Sequence, residues 1–167
     1  MNLTINDFVN NKKKINKDYL CYSHGGKNIC PKITWNCVEN AKSYVIIMED
    51  PDAVLSTFIH LFLYVEPINN SSCNTISNKL YFGKNSLNEN SYFGPCAPKD
   101  TGVHRYIFTI YALDKKIKIN NNNDKINSSR NFINKLKNMS YNKFKNDKIL
   151  VLGIDRVQFT YSCMNSK

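Results

Sequence analysis

Several features are missing from this sequence, and each absence closes off a class. No run approaches about 18 uncharged apolar residues, the length a helix needs to cross a bilayer, so no membrane-spanning helix is expected. The opening residues, MNLTINDFVNNKKK, lack the apolar block and small-residue cleavage site of a secretory signal, and a cytoplasmic chain is the expectation. Among the cysteines at 21, 30, 37, 73, 96 and 163 there is no CxxC pair and no paired Cys/His zinc spacing. With no export signal, most are expected to be reduced, packed thiols. There is no internal repeat and no clean linker. Long helices do not alternate regularly with the strands, which excludes a parallel α/β fold.

The remaining features describe a strand-rich globule. At 167 residues, one domain spanning 1–167 is expected, long enough to bury a core. Ten Tyr and nine Phe favour β structure. The formal net charge is +10, but the excess lysines sit in Asn/Lys-rich stretches, chiefly 12–17 and 115–148. No RNP-type aromatic motif, zinc finger or recognition helix accompanies them, so nucleic acid is not an expected partner. A peripheral contact with an acidic membrane surface stays open.

Three segments, SYVIIMED (43–50), FIHLFLYVE (58–66) and the run from Tyr106 to Leu113, are apolar on both faces and should lie in the middle of a sheet. A fourth strand is expected over 155–161, where Val157, Phe159 and Tyr161 alternate with polar residues. Residues 115–127 read as a low-complexity polar loop. SSRNFINKLKNMS, at 128–140, can form one short helix capped by Ser128 or Ser129, with Phe132, Ile133 and Leu136 inward.

Two stretches carry chemistry. In EDPDAVLSTFIH, two aspartates flank a proline, and Pro51 holds Asp50 in an extended conformation, which fixes where its carboxylate leaves the strand. His60 follows on an apolar strand, on the face that strict alternation shares with Phe58, Phe62 and Tyr64; an imidazole there must find a partner or line a cavity. In YFGPCAPKDTGVHRY (92–106), Gly94, Pro95, Pro98 and Gly102 shape a bent loop that delivers His104 and Tyr106 to one face of a strand.

Together these motifs resemble the phosphatidylethanolamine-binding protein family, which includes the Raf kinase inhibitor proteins. The similarity runs through DPDA, the His of a hydrophobic strand and YFGPCAPKDTGVHRY, strongest over residues 43–113, and KILVLGIDRVQFTYS resembles the closing strand. The resemblance implies a mainly β fold: a large central antiparallel sheet packed on a smaller one, with one or two peripheral helices. It implies an anion pocket bounded by Asp50, His60, His104 and Tyr106, with backbone N–H groups near Gly94 and Cys96 as further donors. Tyr92 and Pro95 would belong to the rim or its scaffold, and Asp52 and Arg105 would pair to tie the two loops together. Val54, Ala97 and Ile59 depart from the family pattern, standing where prolines and a tryptophan are usual.

The implied function is a non-enzymatic binding module without metal or other cofactor. Its ligands would be phosphate-bearing: phosphatidylethanolamine-type headgroups, phosphorylated groups or nucleotides, with protein kinases as possible partners. The chemistry suits this, since phosphate oxygens seek donors and imidazoles, a phenol and loop amides supply them. Asp50 would repel a fully ionised phosphate, and more naturally orients a histidine or meets an ammonium. The alternatives are a hydrolase using Cys96 with a neighbouring His and Asp, a peptidase inhibitor, or a metal centre of Asp50, His60 and His104.

Overall fold

The structure, a computed structural model, describes residues 1–10, 14–68, 73, 78–117, 133–134 and 149–163. Five strands form one antiparallel sheet in the order β5-β4-β3-β6-β7: β3 (Ser43–Asp50), β4 (Phe58–Glu66), β5 (Lys79–Phe82), β6 (His104–Leu113) and β7 (Val151–Tyr161). The three segments that are apolar on both faces are the middle three strands, as their patterning requires. The alternating fourth is an edge strand with one wet face. A second, two-stranded sheet pairs β1 (Leu3–Ile5) with β2 (Ile33–Trp35). The expected mainly β fold, a large antiparallel sheet with a smaller one, is what the chain adopts.

The core has two layers. Leu3, Ile5, Ile33 and Trp35 of the small sheet pack with Tyr44, Ile46, Met48, Leu61, Phe108 and Ile110 on one face of the large sheet. On the opposite face Val45, Ile47, Phe62, Tyr64 and Leu113 cluster with Ile133. Two short 3-10 turns, at Lys17–Tyr19 and Tyr22–His24, stand beside the first layer. Of the helix expected at 128–140, Ile133 and Asn134 are described and helical, and Ile133 is buried. The rest of that helix, and the expected polar loop beyond Ile117, lie outside the described residues.

The cysteine expectation is overturned. Cys21 is bonded to Cys96 and Cys37 to Cys73; only Cys30 and Cys163 are free thiols. The spacing rules point to short-range metal motifs and give no signal for pairs 75 and 36 residues apart, which only the fold brings together.

Candidate ligand-binding site

In the order β4-β3-β6, the end of β3 lies at the same edge of the sheet as the starts of its two neighbours. Asp50 closes β3, His60 sits near the beginning of β4, and His104 and Tyr106 open β6. Period-two alternation puts Asp50 on the face of Tyr44, Ile46 and Met48, and puts His104 and Tyr106 on the face of Phe108 and Ile110. That is one face, the side covered by the small sheet.

His60 reaches this face by a different route from the one strict alternation gives. Met48 pairs with Leu61 but Glu49 pairs with Ile59, so His60 is the extra residue of a β-bulge. The bulge flips the strand's phase. Phe62 and Tyr64 pack in the far layer with Ile59, while His60 and Phe58 turn toward Tyr106 and Phe93. The expected shared stripe of Phe58, His60, Phe62 and Tyr64 is therefore split in two. A bulge inserts a residue without any mark in the apolar pattern, which is why alternation alone misplaces this histidine.

Asp50, His60 and His104 line a cavity of about 400 Å³. Its remaining walls include Ala53, Val54, Leu55, Phe58, Phe93, Cys96 and Pro98, so a polar floor sits under mainly apolar sides. The Asp50 and His104 side chains are almost wholly buried, with His104 Nδ1 to Asp50 Oδ2 at 2.7 Å. The Thr101 hydroxyl lies 2.8 Å from His104 Nε2 and itself donates to the Pro98 carbonyl at 2.7 Å. The Asp50 carboxylate accepts from His104 Nδ1, which fixes the orientation of the ring. The other oxygen of Asp50 accepts the Asp52 N–H at 2.9 Å.

His60 is a different kind of imidazole. Burial pushes its pKa down to about 4, against the opposing pull of its hydrogen bond to the Phe93 carbonyl. Its Nδ1 donates to that carbonyl at 2.7 Å, so the neutral ring keeps Nε2 as an acceptor. Tyr106, fully buried, accepts the Cys96 N–H at 3.3 Å through its hydroxyl oxygen. Burial raises its pKa well above the ordinary phenol value, so it remains a donor at any physiological pH.

The loop at 92–98 is fastened to the segment 19–28. Gly94 N donates to Asn28 Oδ1 at 2.7 Å, Cys21 N to the Pro95 carbonyl at 3.2 Å, and the Tyr92 hydroxyl to the Tyr19 carbonyl at 2.9 Å. A side chain at Gly94 would overlap the backbone of Tyr19 and Leu20, so glycine is required there by close approach. The two amides expected as anion donors thus have protein acceptors, Gly94 on Asn28 and Cys96 on Tyr106. Cys96 is half of a disulfide, which removes it as a nucleophile in this state and with it the basis of the hydrolase alternative.

Asp52 and Arg105 pair as expected. Arg105 Nε and Nη2 donate to Asp52 Oδ2 and Oδ1 at 2.8 and 2.7 Å, and the Arg105 backbone N–H adds a third bond at 2.9 Å. Those hydrogen bonds hold the Asp52 carboxyl down at about 2. Two participants went unread in the sequence. Asn28 follows the Gly25-Gly26 turn with positive φ, a geometry asparagine tolerates. Thr101 lies in the D-T-G turn three residues before His104, a spacing that could have flagged it.

The comparisons with known proteins bear on this geometry. A family model described as phosphatidylethanolamine-binding protein matches residues 6–144. The chain belongs to the phosphatidylethanolamine-binding protein family. A UPF0098 protein of Aquifex aeolicus is 38% identical over 110 residues, covering 62% of this chain and 63% of that protein. LppC of Mycobacterium tuberculosis, named as a lipoprotein, is 35% identical over 96 residues, covering 55% of this chain and 47% of its own. The match thus spans between about half and two thirds of these relatives' length. A crystal structure of a family homologue from Chlamydia trachomatis, CT736, superposes with a TM-score of 0.65 at 27% identity, covering 97% of each chain. YbcL of Escherichia coli, described as a member of the mammalian family, gives a TM-score of 0.71 at 19% identity over 97% of this chain and 98% of its own, a likeness of fold.

Proposed function

We propose that this protein binds, without turning over, a small ligand carrying a phosphate group, and that the cavity lined by Asp50, His60 and His104, with Tyr106 behind them, is where it sits. One observation carries the reading: Asp50, His60 and His104, from three strands, line a single cavity, and the buried Tyr106 meets His60 edge-on behind them. Family membership supports it, and phosphatidylethanolamine-type headgroups, phosphorylated side chains and nucleotides are the ligand classes that share this chemistry. Protein kinases are the partner class suggested by the resemblance.

The hydrogen-bond polarity refines which phosphate fits. The Tyr106 O–H is available to donate, whereas Asp50 and the Nε2 of neutral His60 accept. A phosphate monoanion meets both demands, its oxygens taking the phenol proton and its own P–O–H turned to an acceptor. A zwitterion such as phosphoethanolamine adds an ammonium that a carboxylate and aromatic walls tolerate. Affinity should therefore rise as pH falls through about 6, where a phosphate monoester takes up its second proton. The protonation that matters there is the ligand's, because His60 is neutral well below that pH.

Calorimetric titration with phosphoethanolamine tests this. Wild-type protein should bind, and Tyr106→Phe, which keeps the ring and removes the donor, should lose about tenfold or more in affinity. Equal affinity in the two proteins would take Tyr106 out of the site, and no binding by the wild type would sink the reading. The setting follows from the disulfides: bonds such as Cys21–Cys96 persist in oxidising compartments, which favours a site of action outside a reducing cytosol.

A further inference from the structure

The two disulfides stand in different surroundings. Cys96 is half-buried and belongs to the lining of the ligand cavity, while its partner Cys21 is wholly buried. Polar groups gather on this bond. The Ser23 hydroxyl lies 3.2 Å from Cys21 Sγ and 3.1 Å from Cys96 Sγ, and it is the donor because disulfide sulfurs carry no proton. A ring nitrogen of His24 lies within 4.8 Å of both sulfurs, and the Tyr161 hydroxyl holds that ring at 3.0 Å from Nδ1. Cys37–Cys73 has another setting. Cys37 is exposed, but Cys73 is buried in the apolar layer with Trp35 and Tyr44, where the Tyr44 hydroxyl lies 3.7 Å from its sulfur. Among the described residues no histidine or carboxylate comes within 4.8 Å of both sulfurs of that bond. A disulfide opens when a thiolate attacks one sulfur and the other leaves as a thiolate. Access to the first and stabilisation of the second therefore set the rate.

We propose that Cys96 is a site of thiol–disulfide exchange, entered through the ligand cavity, at which a small external thiol opens the bond to Cys21. The thiolate of the co-reactant attacks Cys96 Sγ. As the new S–S bond forms, the Cys96–Cys21 bond breaks, and Cys21 Sγ leaves with the electron pair beside the Ser23 hydroxyl and the His24 imidazole, then takes up a proton. A second thiol displaces the first from Cys96. The protein has then gained two electrons and two protons, and the two small thiols have become one disulfide. The attacker comes from outside: burial pushes the Cys30 thiol up to about 12, and Cys163 does not lie within 4.8 Å of both sulfurs. At the mixed-disulfide stage the added group lies on the cavity wall, where it competes with a ligand. That consequence rests on the reading of the cavity as a site for phosphate-bearing groups; the exchange itself does not.

Limited reduction of the full chain with glutathione, followed by alkylation and peptide mapping, tests the exchange. In the wild type, Cys21 and Cys96 should be released about tenfold or more faster than Cys37 and Cys73. His24→Gln should slow the opening of Cys21–Cys96 by about fivefold or more, and His24→Lys should restore it. The Cys37–Cys73 rate, measured in the same samples, should stay constant and so reports on the fold. Equal rates for the two bonds in the wild type, or a faster Cys37–Cys73, would overturn the proposal. So would a His24→Gln variant that opens at the wild-type rate. Cys21→Ser isolates the cavity step, because it leaves Cys96 without a partner that could expel the added thiol. Treated with oxidised glutathione, this variant should carry glutathione on Cys96 and bind phosphoethanolamine about tenfold or more weakly than its unmodified form. Unchanged affinity in the adduct would put the sulfur outside the cavity and overturn the entry route. Selective opening of Cys21–Cys96 in a wild type that binds no phosphoethanolamine sinks the cavity reading and upholds the exchange.

Discussion

The three central strands run from an apolar end to a polar end, and both ends are buried. Toward one end Tyr44, Val45, Ile46, Leu63, Val65, Ile110 and Ala112 are sealed between layers. Toward the other, the same strands bury Glu49, Asp50, His60 and His104. A carboxylate or imidazole in a dry interior lowers stability unless every polar atom is matched. Here the matching is specific: Asp50 to His104 and Asp52, His104 to Thr101, His60 to Phe93. The difference teaches that burial alone does not mark a core. Where titratable groups gather at one end of an otherwise apolar sheet, that end is shaped for something other than stability.

The largest way to test the contrast is in the apolar layer where it meets the polar end. Phe108 lies on β6 four residues after His104, is fully buried, and meets Phe8 edge-on at 5.3 Å and Phe159 at 6.0 Å. Phe108→Ala should cost about 3–5 kcal/mol in a denaturant unfolding curve, the range for emptying a well-packed aromatic site. A cost under about 1 kcal/mol would mean that this layer is not rigidly packed.

Much of this plan was legible in the residues. The three two-faced strands declared themselves by composition, and their place in the middle of the sheet followed, because only central strands are apolar on both sides. His104 and Tyr106 share a face of their strand as the motif suggested, since alternation from a strand's first residue is enough to choose a face. What stayed hidden has physical reasons. The bulge at His60 is a property of strand pairing, and its sequence is that of any apolar strand. β1, β2 and β5 are three or four residues long, too short for a period to emerge. The disulfides join segments with no local relation. The internal acceptors of the Gly94 and Cys96 amides depend on Asn28 and Tyr106, which only tertiary structure brings close.

The polar end yields the next test, through pH. An unfolded chain carries its histidines near 6.5, whereas His60 in the fold stays neutral until about 4. Between those values the unfolded state binds a proton that the folded state refuses, so stability falls as pH drops from about 6.5 to about 4 and is unaffected by this group above that window. The loss should approach about 3 kcal/mol. His60→Gln should flatten this part of the profile in urea unfolding at a series of pH values. A wild-type profile already flat over the same range would mean that His60 is wetter than its surroundings imply.

The smallest expected effect lies at the rim, where the contrast between the two ends meets solvent. Asp52 owes its depressed pKa of about 2 first to the hydrogen bonds from Arg105, and both side chains are partly in water. Exposed pairs of this kind contribute little to stability because water competes for each partner. Arg105→Gln should therefore move the carboxyl of Asp52 back toward the ordinary range near 3.9 while leaving the unfolding midpoint nearly in place. A carbon-detected NMR titration of the carboxyl group reads this directly. If Asp52 stays near 2 without the guanidinium, the Arg105 backbone N–H and the rest of the loop hold it, and the tie between the two loops is one of backbone rather than charge.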